Sequence, residues 1–406
     1  MTDPTHAPLH TVARGRARWH RGVVRPVLQR RTRVAPGAQA IAFVVGIALA
    51  LIAGALLLWA SGNDTFAVYG RMADSSLGGF DAISRTLLRA TPLAIAGLAV
   101  AVAGSMGLWN IGAEGQMMAG ATAAAGLAMV AGDLAGPMLI VAMLIAGAVG
   151  GVVLIVGPAL ARAYLGVSEI ITTLMLVEVA IRIVEWLKVG PWKDPESLGF
   201  PQIAPLPDQA SLPGLFGHVH IGVLLAAALL AAFWMAVGRT AWGYELRLAG
   251  SSPATARYVG ISLQRKVLAA LLISGALAGL AGAIELSGTA TRLEPGLSSG
   301  YGFAGIIVAA LALMRPAGVA VVAFVFGAVL RGGQAIQTLG VTSSIATILQ
   351  AMILIGALVA AVLLNYRIRW VRPVGHESEP TSPPAVPAPG RAPSSSGSSA
   401  PEASDV

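Results

Sequence analysis

Asn110, Glu114 and Gln116 lie within "GLWNIGAEGQMMAGA", Gly107 to Ala121, in one of the most apolar parts of this 406-residue chain. One carboxylate and two amides at this spacing can hold the hydroxyls and polar edges of a small solute by hydrogen bonds. Three further acids, Glu169, Glu178 and Glu285, also fall in apolar surroundings and could relay protons. Glu178, Arg182 and Glu185 are spaced by four and three, which puts them on one helical face. Arg182 can pair there with either carboxylate, and structural ion pairing is the expected role.

Other chemistries find no support. The sequence has no GxxxxGK[ST] phosphate loop and no HExxH. It contains no cysteine, which excludes disulfides, thiolate metal sites and a cysteine nucleophile. All six histidines lie outside the apolar runs, and His218 and His220 are read as solvated loop residues rather than metal ligands. The chain is therefore expected not to be an enzyme, and to bind neither cofactor nor metal.

The polar residues must be positioned by helices that break. Gly107, Gly112 and Gly115 occur within nine residues, beside Asn110. Glycine disfavours a helix by about 1 kcal/mol relative to alanine. The expected structure is a span that ends, turns within the membrane and restarts near Ala113. Irregular backbone at that depth needs burial in protein or a water-filled cavity, and broken helices of this kind mark translocation routes. Close packing through small residues is the competing role for these glycines. A second candidate break, Glu294 to Gly318, lies in the opposite half of the chain and carries Tyr301 and Phe303. Asn110, Glu114, Gln116, Tyr301 and Phe303 are the candidate pathway residues, the aromatic rings suiting a flat face.

Composition sets the frame for these breaks. The chain is 56% hydrophobic and 11% charged, against about 25% charged in soluble domains. The expected fold is all-α: a polytopic membrane bundle of about ten spans. The first is Ala40–Ala60, and nine more centre near residues 98, 122, 148, 177, 230, 277, 307, 324 and 354. A cleaved signal peptide is the rival reading of the first run, but such an apolar region should be shorter and nearer the start. With both termini inside, the inner segments hold 19 of the 27 Lys and Arg residues, which predicts N-in, C-in topology. The same bias accounts for the net charge of +8 without nucleic acid. The predicted domains are a basic extension over 1–36, a membrane domain over 37–366, and a Pro/Ser-rich disordered tail over 367–406. Within the membrane domain lie an outer proline-rich loop, 188–220, and an inner polar loop, 239–266. In the inner loop, Ser252 and Pro253 form a helix start.

Five segments, in order, resemble the permease subunits of ABC importers in the branched-chain amino acid, ribose and nucleoside group. They are "GLWNIGAEGQMMAGA", "VSEIITTLML" (Val167–Leu176), "GPWKDP" (Gly190–Pro195), "GYELRLAGSSPATARYVGI" (Gly243–Ile261) and "GYGFAGIIVAAL" (Gly300–Leu311). The nucleoside and simple-sugar permeases are the nearest subgroup. The resemblance implies a multi-pass plasma-membrane subunit that forms the route for nucleosides. Its implied partners are an ABC ATPase, a second permease chain in a heterodimer, an extracytoplasmic substrate-binding protein and membrane lipid. ATP and Mg would belong to the ATPase. The coupling segment would dock on that ATPase through Glu245, Arg247, Gly250, Pro253, Ala256, Arg257 and Gly260. Simple sugars or branched-chain amino acids are the alternative substrates, and an ion-coupled secondary transporter is the alternative class. The inner loop disfavours that class, since a self-sufficient carrier needs no docking surface. The sequence departs from the subgroup at Glu178, where an Asn and an aromatic usually follow "TTLML".

Overall fold

Long apolar runs without internal charge fold as membrane-length helices, and their bounds follow the sequence punctuation. The computed structural model describes residues 25–30, 36–197, 199–290 and 292–371; the expectations for the first residues and for the tail beyond 371 lie outside them. Helix α1 is Pro36–Ala60. Helix α2, Thr65–Leu77, starts where the Asp64 carboxylate accepts from the Phe66 and Ala67 N–H groups. Helix α3 is Phe80–Gly104, α4 Ala113–Val130 and α5 Gly136–Leu160, which runs into a π-helical turn at Ala161–Leu165. Helix α6 is Glu169–Val189 and α7 Gly222–Arg239. The short helices α8, Ala241–Ser251, and α9, Pro253–Tyr258, fill the segment before α10, Leu263–Gly288. The chain continues with α11, Tyr301–Leu311, α12, Pro316–Ala335, and α13, Ser343–Asn365.

Among the described residues, 7 helices are long and apolar enough to cross a membrane. The expectation was about ten spans, with broken helices among them, and the other apolar centres fall on helices that are shorter or carry charge. Helix α11 has 11 residues, about 16 Å at 1.5 Å per residue, roughly half the hydrocarbon thickness. Helices α4 and α6 have 18 and 21 residues. However, α4 opens on Glu114 and Gln116, and α6 carries Glu169, Glu178, Arg182, Glu185 and Lys188.

The chain is mostly helical, as an all-α polytopic membrane protein should be, with two short strand pairs besides. Strand β1 (Arg25–Arg30) pairs antiparallel with β4 (Tyr366–Val371), Arg25 opposite Val371 and Arg30 opposite Tyr366. Tyr366, Ile368 and Trp370 alternate there with Arg367 and Arg369, the period of a strand. This pair belongs to a compact unit separate from residues 31–365. Inside the helical unit, β2 (Gly214–Phe216) and β3 (Val219–His220) form a small hairpin. The proline-rich loop that carries it is ordered, with an isolated bridge between Lys193 and Ile203 and with Ile203, Ala210 and Leu212 buried.

The core of the helical unit is built from α3, α4, α10, α11 and α12, around Leu93, Ile95, Met117, Ile284, Val308 and Phe326. Helices α5 and α10 approach through small residues: a Cβ on Gly151 would stand 2.1 Å from the Gly275 carbonyl oxygen. Gly147/Gly151 and Gly275/Gly279 are both spaced by four, the seam expected where helices must touch without a hydrophobic driving force.

Candidate functional site

The first break forms because α3 ends at Gly104 and the chain reverses before α4 begins at Ala113. Gly107 takes a left-handed φ of 73° in that reversal, a conformation glycine adopts without penalty. Past the turn, Asn110 and Gln116 form a reciprocal amide pair: Asn110 Nδ2 donates to Gln116 Oε1 at 2.7 Å, and Gln116 Nε2 to Asn110 Oδ1 at 2.9 Å. Asn110 Nδ2 also donates to Ser274 Oγ at 2.8 Å, and Ser274 donates to the Ala99 carbonyl at 2.6 Å. This chain of bonds joins α3, the break, α4 and α10. Both amides are buried, so each would be expensive to leave unpaired.

Glu114, in the first turn of α4, reaches the second break. Its Oε1 accepts from the Gly300 N–H at 3.0 Å and from the Ser298 hydroxyl, and its Oε2 accepts from the Gly302 N–H at 2.7 Å. Gly300 is the N-cap of α11 with a left-handed φ of 81°. The carboxylate therefore caps α11 from another helix, satisfying free N–H groups at the positive end of the dipole. Gly302 lets the two half-helices meet: a Cβ there would stand 2.2 Å from the Glu114 nitrogen. The two breaks found separately in the sequence are one structural unit, joined by Glu114.

Tyr301 is buried, and its hydroxyl accepts from Arg89 Nη1 at 3.0 Å. Arg89 in turn lies 3.7 Å from buried Glu285, which gives that acid a partner. Phe303 alone of the five candidate pathway residues is exposed, at 41%. Asn110, Glu114, Gln116 and Tyr301 are closed off in this conformation. Glu169, the remaining buried acid, accepts from the Trp109 N–H at 3.2 Å and pairs with Arg162 at 3.1 Å, tying α6 to the first break.

The inner-loop segment packs directly on that break. A Cβ on Gly250 would stand 2.7 Å from the Met106 Cα. Ala256 is fully buried with Leu246, Ala249, Met106 and Leu271. The small size of Gly250 and Ala256 thus serves packing within the chain. Glu245 pairs with Lys266, and Arg247 donates to the Val237 carbonyl. Ser252 caps α9, with Pro253 in its first turn. Arg257 and Gly260 are exposed, Gly260 with a left-handed φ of 82°. Beside them Tyr258 is 92% exposed, and Tyr244 is exposed as well. Sequence reasoning missed these tyrosines; an aromatic among the exposed polar residues of a short helix was the available signal.

Among the described residues no group of three or more His, Cys, Asp or Glu could hold a metal ion. His218 Nε2 lies 2.8 Å from Asp81, and buried His220 accepts the Gly222 N–H on Nδ1. Burial holds the His220 imidazole below the ordinary histidine range.

Residues 82–362 match the family described as the permease component of the branched-chain amino acid transport system. The chain is 34% identical to the glucose ABC transporter permease protein TsgB13 of Haloferax volcanii, over 80% of its own length and 88% of the relative's. It is 31% identical to the guanosine ABC transporter permease protein NupP of Bacillus subtilis, over 81% and 94%. The nucleoside ABC transporter permease protein NupB of Lactococcus lactis is 26% identical, over 77% and 88%. From each of these three organisms, in the same order, a second protein is also similar, at 27%, 26% and 24% identity over 60% of this chain. No solved structure matches the chain.

Proposed function

We propose how this chain works from one premise: it belongs to the family of permease components of branched-chain amino acid transport systems, which its match over residues 82–362 establishes. It is a multi-pass plasma-membrane permease of an ABC transporter. The finer reading is that it forms the route for nucleosides in an importer. Nucleosides reach it from an extracytoplasmic binding protein, and ATP is hydrolysed, with Mg, by a separate ATPase. The chain itself binds no cofactor. A second, related permease subunit completes the route, a reading supported by the paired relatives in three organisms. Both termini lie on the cytoplasmic side, with the segment 239–266.

The route runs along the exposed side of the two breaks. Phe303 borders it directly. Asn110, Glu114, Gln116 and Tyr301 stand behind, and meet solute only when α11 draws away from α4. The ATPase contacts the exposed Arg257, Tyr258 and Gly260, while Gly250, Ala256 and Met106 pass its movement to the first break.

A simple sugar is the second reading, favoured by the 34% identity to TsgB13. Both classes present ring hydroxyls, for which amides and carboxylates are the fitting partners. The complete complex, reconstituted with labelled guanosine, tests the proposal. Uptake should stop when the ATPase subunit is inactivated and should be competed by unlabelled nucleosides more strongly than by glucose or leucine. Uptake that persists on a proton gradient alone would overturn the ABC mechanism, and competition by glucose alone would move the substrate to sugars.

A further inference from the structure

Between α5 and α7, beneath the proline-rich loop, lies a cleft of about 670 Å³. Helix α5 supplies Ile140, Val141 and Leu144, α7 supplies Leu224, Leu225 and Ala228, and buried Ile284 of α10 closes the back. The polar lining residues gather on the loop: Asp208, Gln209 and Ser211, all of them exposed. They stand where α5 and α7 begin. Gly136 lies against Gln209, and the Ile221 N–H donates to the Pro213 carbonyl at 3.0 Å. From Gly136 to Leu144, α5 advances eight residues, about 12 Å at 1.5 Å per residue. One leaflet of hydrocarbon is about 15 Å deep, half of a core of about 30 Å.

The cleft is therefore polar at the membrane surface and apolar for most of the depth of one leaflet, the profile of a phospholipid. Its walls run on into the outward faces of both helices: Val141 and Ile145 of α5 are 57% and 61% exposed, and Leu224 of α7 is 51% exposed. These are membrane-length apolar helices, so the cleft is continuous with the surface that meets lipid. An apolar cavity offers water few hydrogen-bond partners, whereas an acyl chain needs none. Among the described lining residues Asp208 alone is charged. Its carboxylate attracts an ammonium group and repels a headgroup with a net negative charge. Gln209 and Ser211 carry N–H and O–H donors suited to phosphate oxygens.

We propose that this cleft is a binding site for a phospholipid with an ethanolamine headgroup. One acyl chain lies between α5 and α7, the ammonium pairs with Asp208, and Gln209 and Ser211 donate to the phosphate. The bound lipid ties the proline-rich loop to both helices. A soluble partner cannot reach so far below the membrane surface. The inference needs only that α5 and α7 cross the membrane, and is independent of the solute transported.

In vesicles holding the complete complex, phosphatidylethanolamine or phosphatidylglycerol carrying a mid-chain diazirine is photolysed at equal mole fraction, and the labelled residues are mapped. Val149 and Val153, exposed on α5, give the level of ordinary contact with surrounding lipid. Leu144 and Leu225 should be labelled above that level by phosphatidylethanolamine. They should be labelled about fivefold less by phosphatidylglycerol, the ratio that a surface ion pair at the strong end of its range gives. Asp208→Asn, an exposed change, should abolish the preference between the two lipids. Ala228→Trp, which fills the cleft, should bring its labelling down to the reference level. Labelling of the parent cleft at the reference level is ordinary lipid contact and overturns the site. Equal labelling by the two lipids overturns the headgroup assignment. Labelling below the reference means that a protein chain covers the cleft, and overturns the proposal as well. Labelling is read without transport, so its failure is distinct from failure of the permease reading.

Discussion

Glu114 and Glu178 are both carboxylates in membrane-depth helices, yet their surroundings are opposite. Glu114 is buried, and both of its oxygens are engaged by the Ser298 hydroxyl and the Gly300 and Gly302 N–H groups. Glu178 is exposed and meets only an equally exposed arginine. An acid in an apolar stretch needs a partner or a purpose. The first has the partner, and the second is left to have the purpose. The buried group holds two broken helices together, whereas the exposed group pairs only within its own helix.

The contrast can be broken most forcefully at Glu114. Glu114→Ala strands two N–H groups and a hydroxyl, so it should lower stability by about 3 kcal/mol, the range for lost hydrogen bonds to a charged group. Thermal unfolding of the purified chain in detergent reads this. Gly302→Ala attacks the same junction sterically, since its Cβ would overlap the Glu114 backbone. Overpacking of this kind should cost about 2 kcal/mol. Asn110→Ala leaves Gln116 and Ser274 short of a partner, with an expected loss of about 1–2 kcal/mol. A double-mutant cycle with Gln116→Ala should show less than additive loss, because the two amides share their bonds.

Glu178→Gln sharpens the contrast from the other side. Exposed pairs contribute about 0–1 kcal/mol, so the midpoint should hardly move while uptake per assembled complex falls. His220 gives the smallest effect. Its folded pKa is depressed by burial, so unfolding takes up a proton between the folded pKa and the ordinary value. Its stabilising contribution is present above the ordinary value, about 6.5, and is lost as pH falls through the folded one. Below pH 6.5 the parent should lose midpoint faster than His220→Gln.

These two regions also mark how far the sequence could be read. The break before Ala113 was legible because glycine and asparagine cluster in an apolar run, and α4 begins there. The N-cap at Ser252 was legible for the same local reason. What joins Glu114 to Gly300 was not, because that bond spans 186 positions and depends on tertiary packing. Counting apolar centres gave α11 the weight of a span, although its own Gly300 and the turn after Leu311 confine it to 11 residues. The strand at Tyr366–Val371 was hidden by its arginines, which read as a basic flank rather than as one face of a period-two pattern. The burial of Ala256 was equally hidden, since a small residue suits docking and internal packing alike.

The division of labour between the two acids is tested most directly by one paired measurement. Glu114→Gln and Glu178→Gln are each purified in the complete complex, and the thermal midpoint and the uptake per assembled complex are taken from the same preparation. The account predicts a lowered midpoint for Glu114→Gln, and for Glu178→Gln a parental midpoint with reduced uptake. A parental midpoint for Glu114→Gln, together with full uptake for Glu178→Gln, would contradict it.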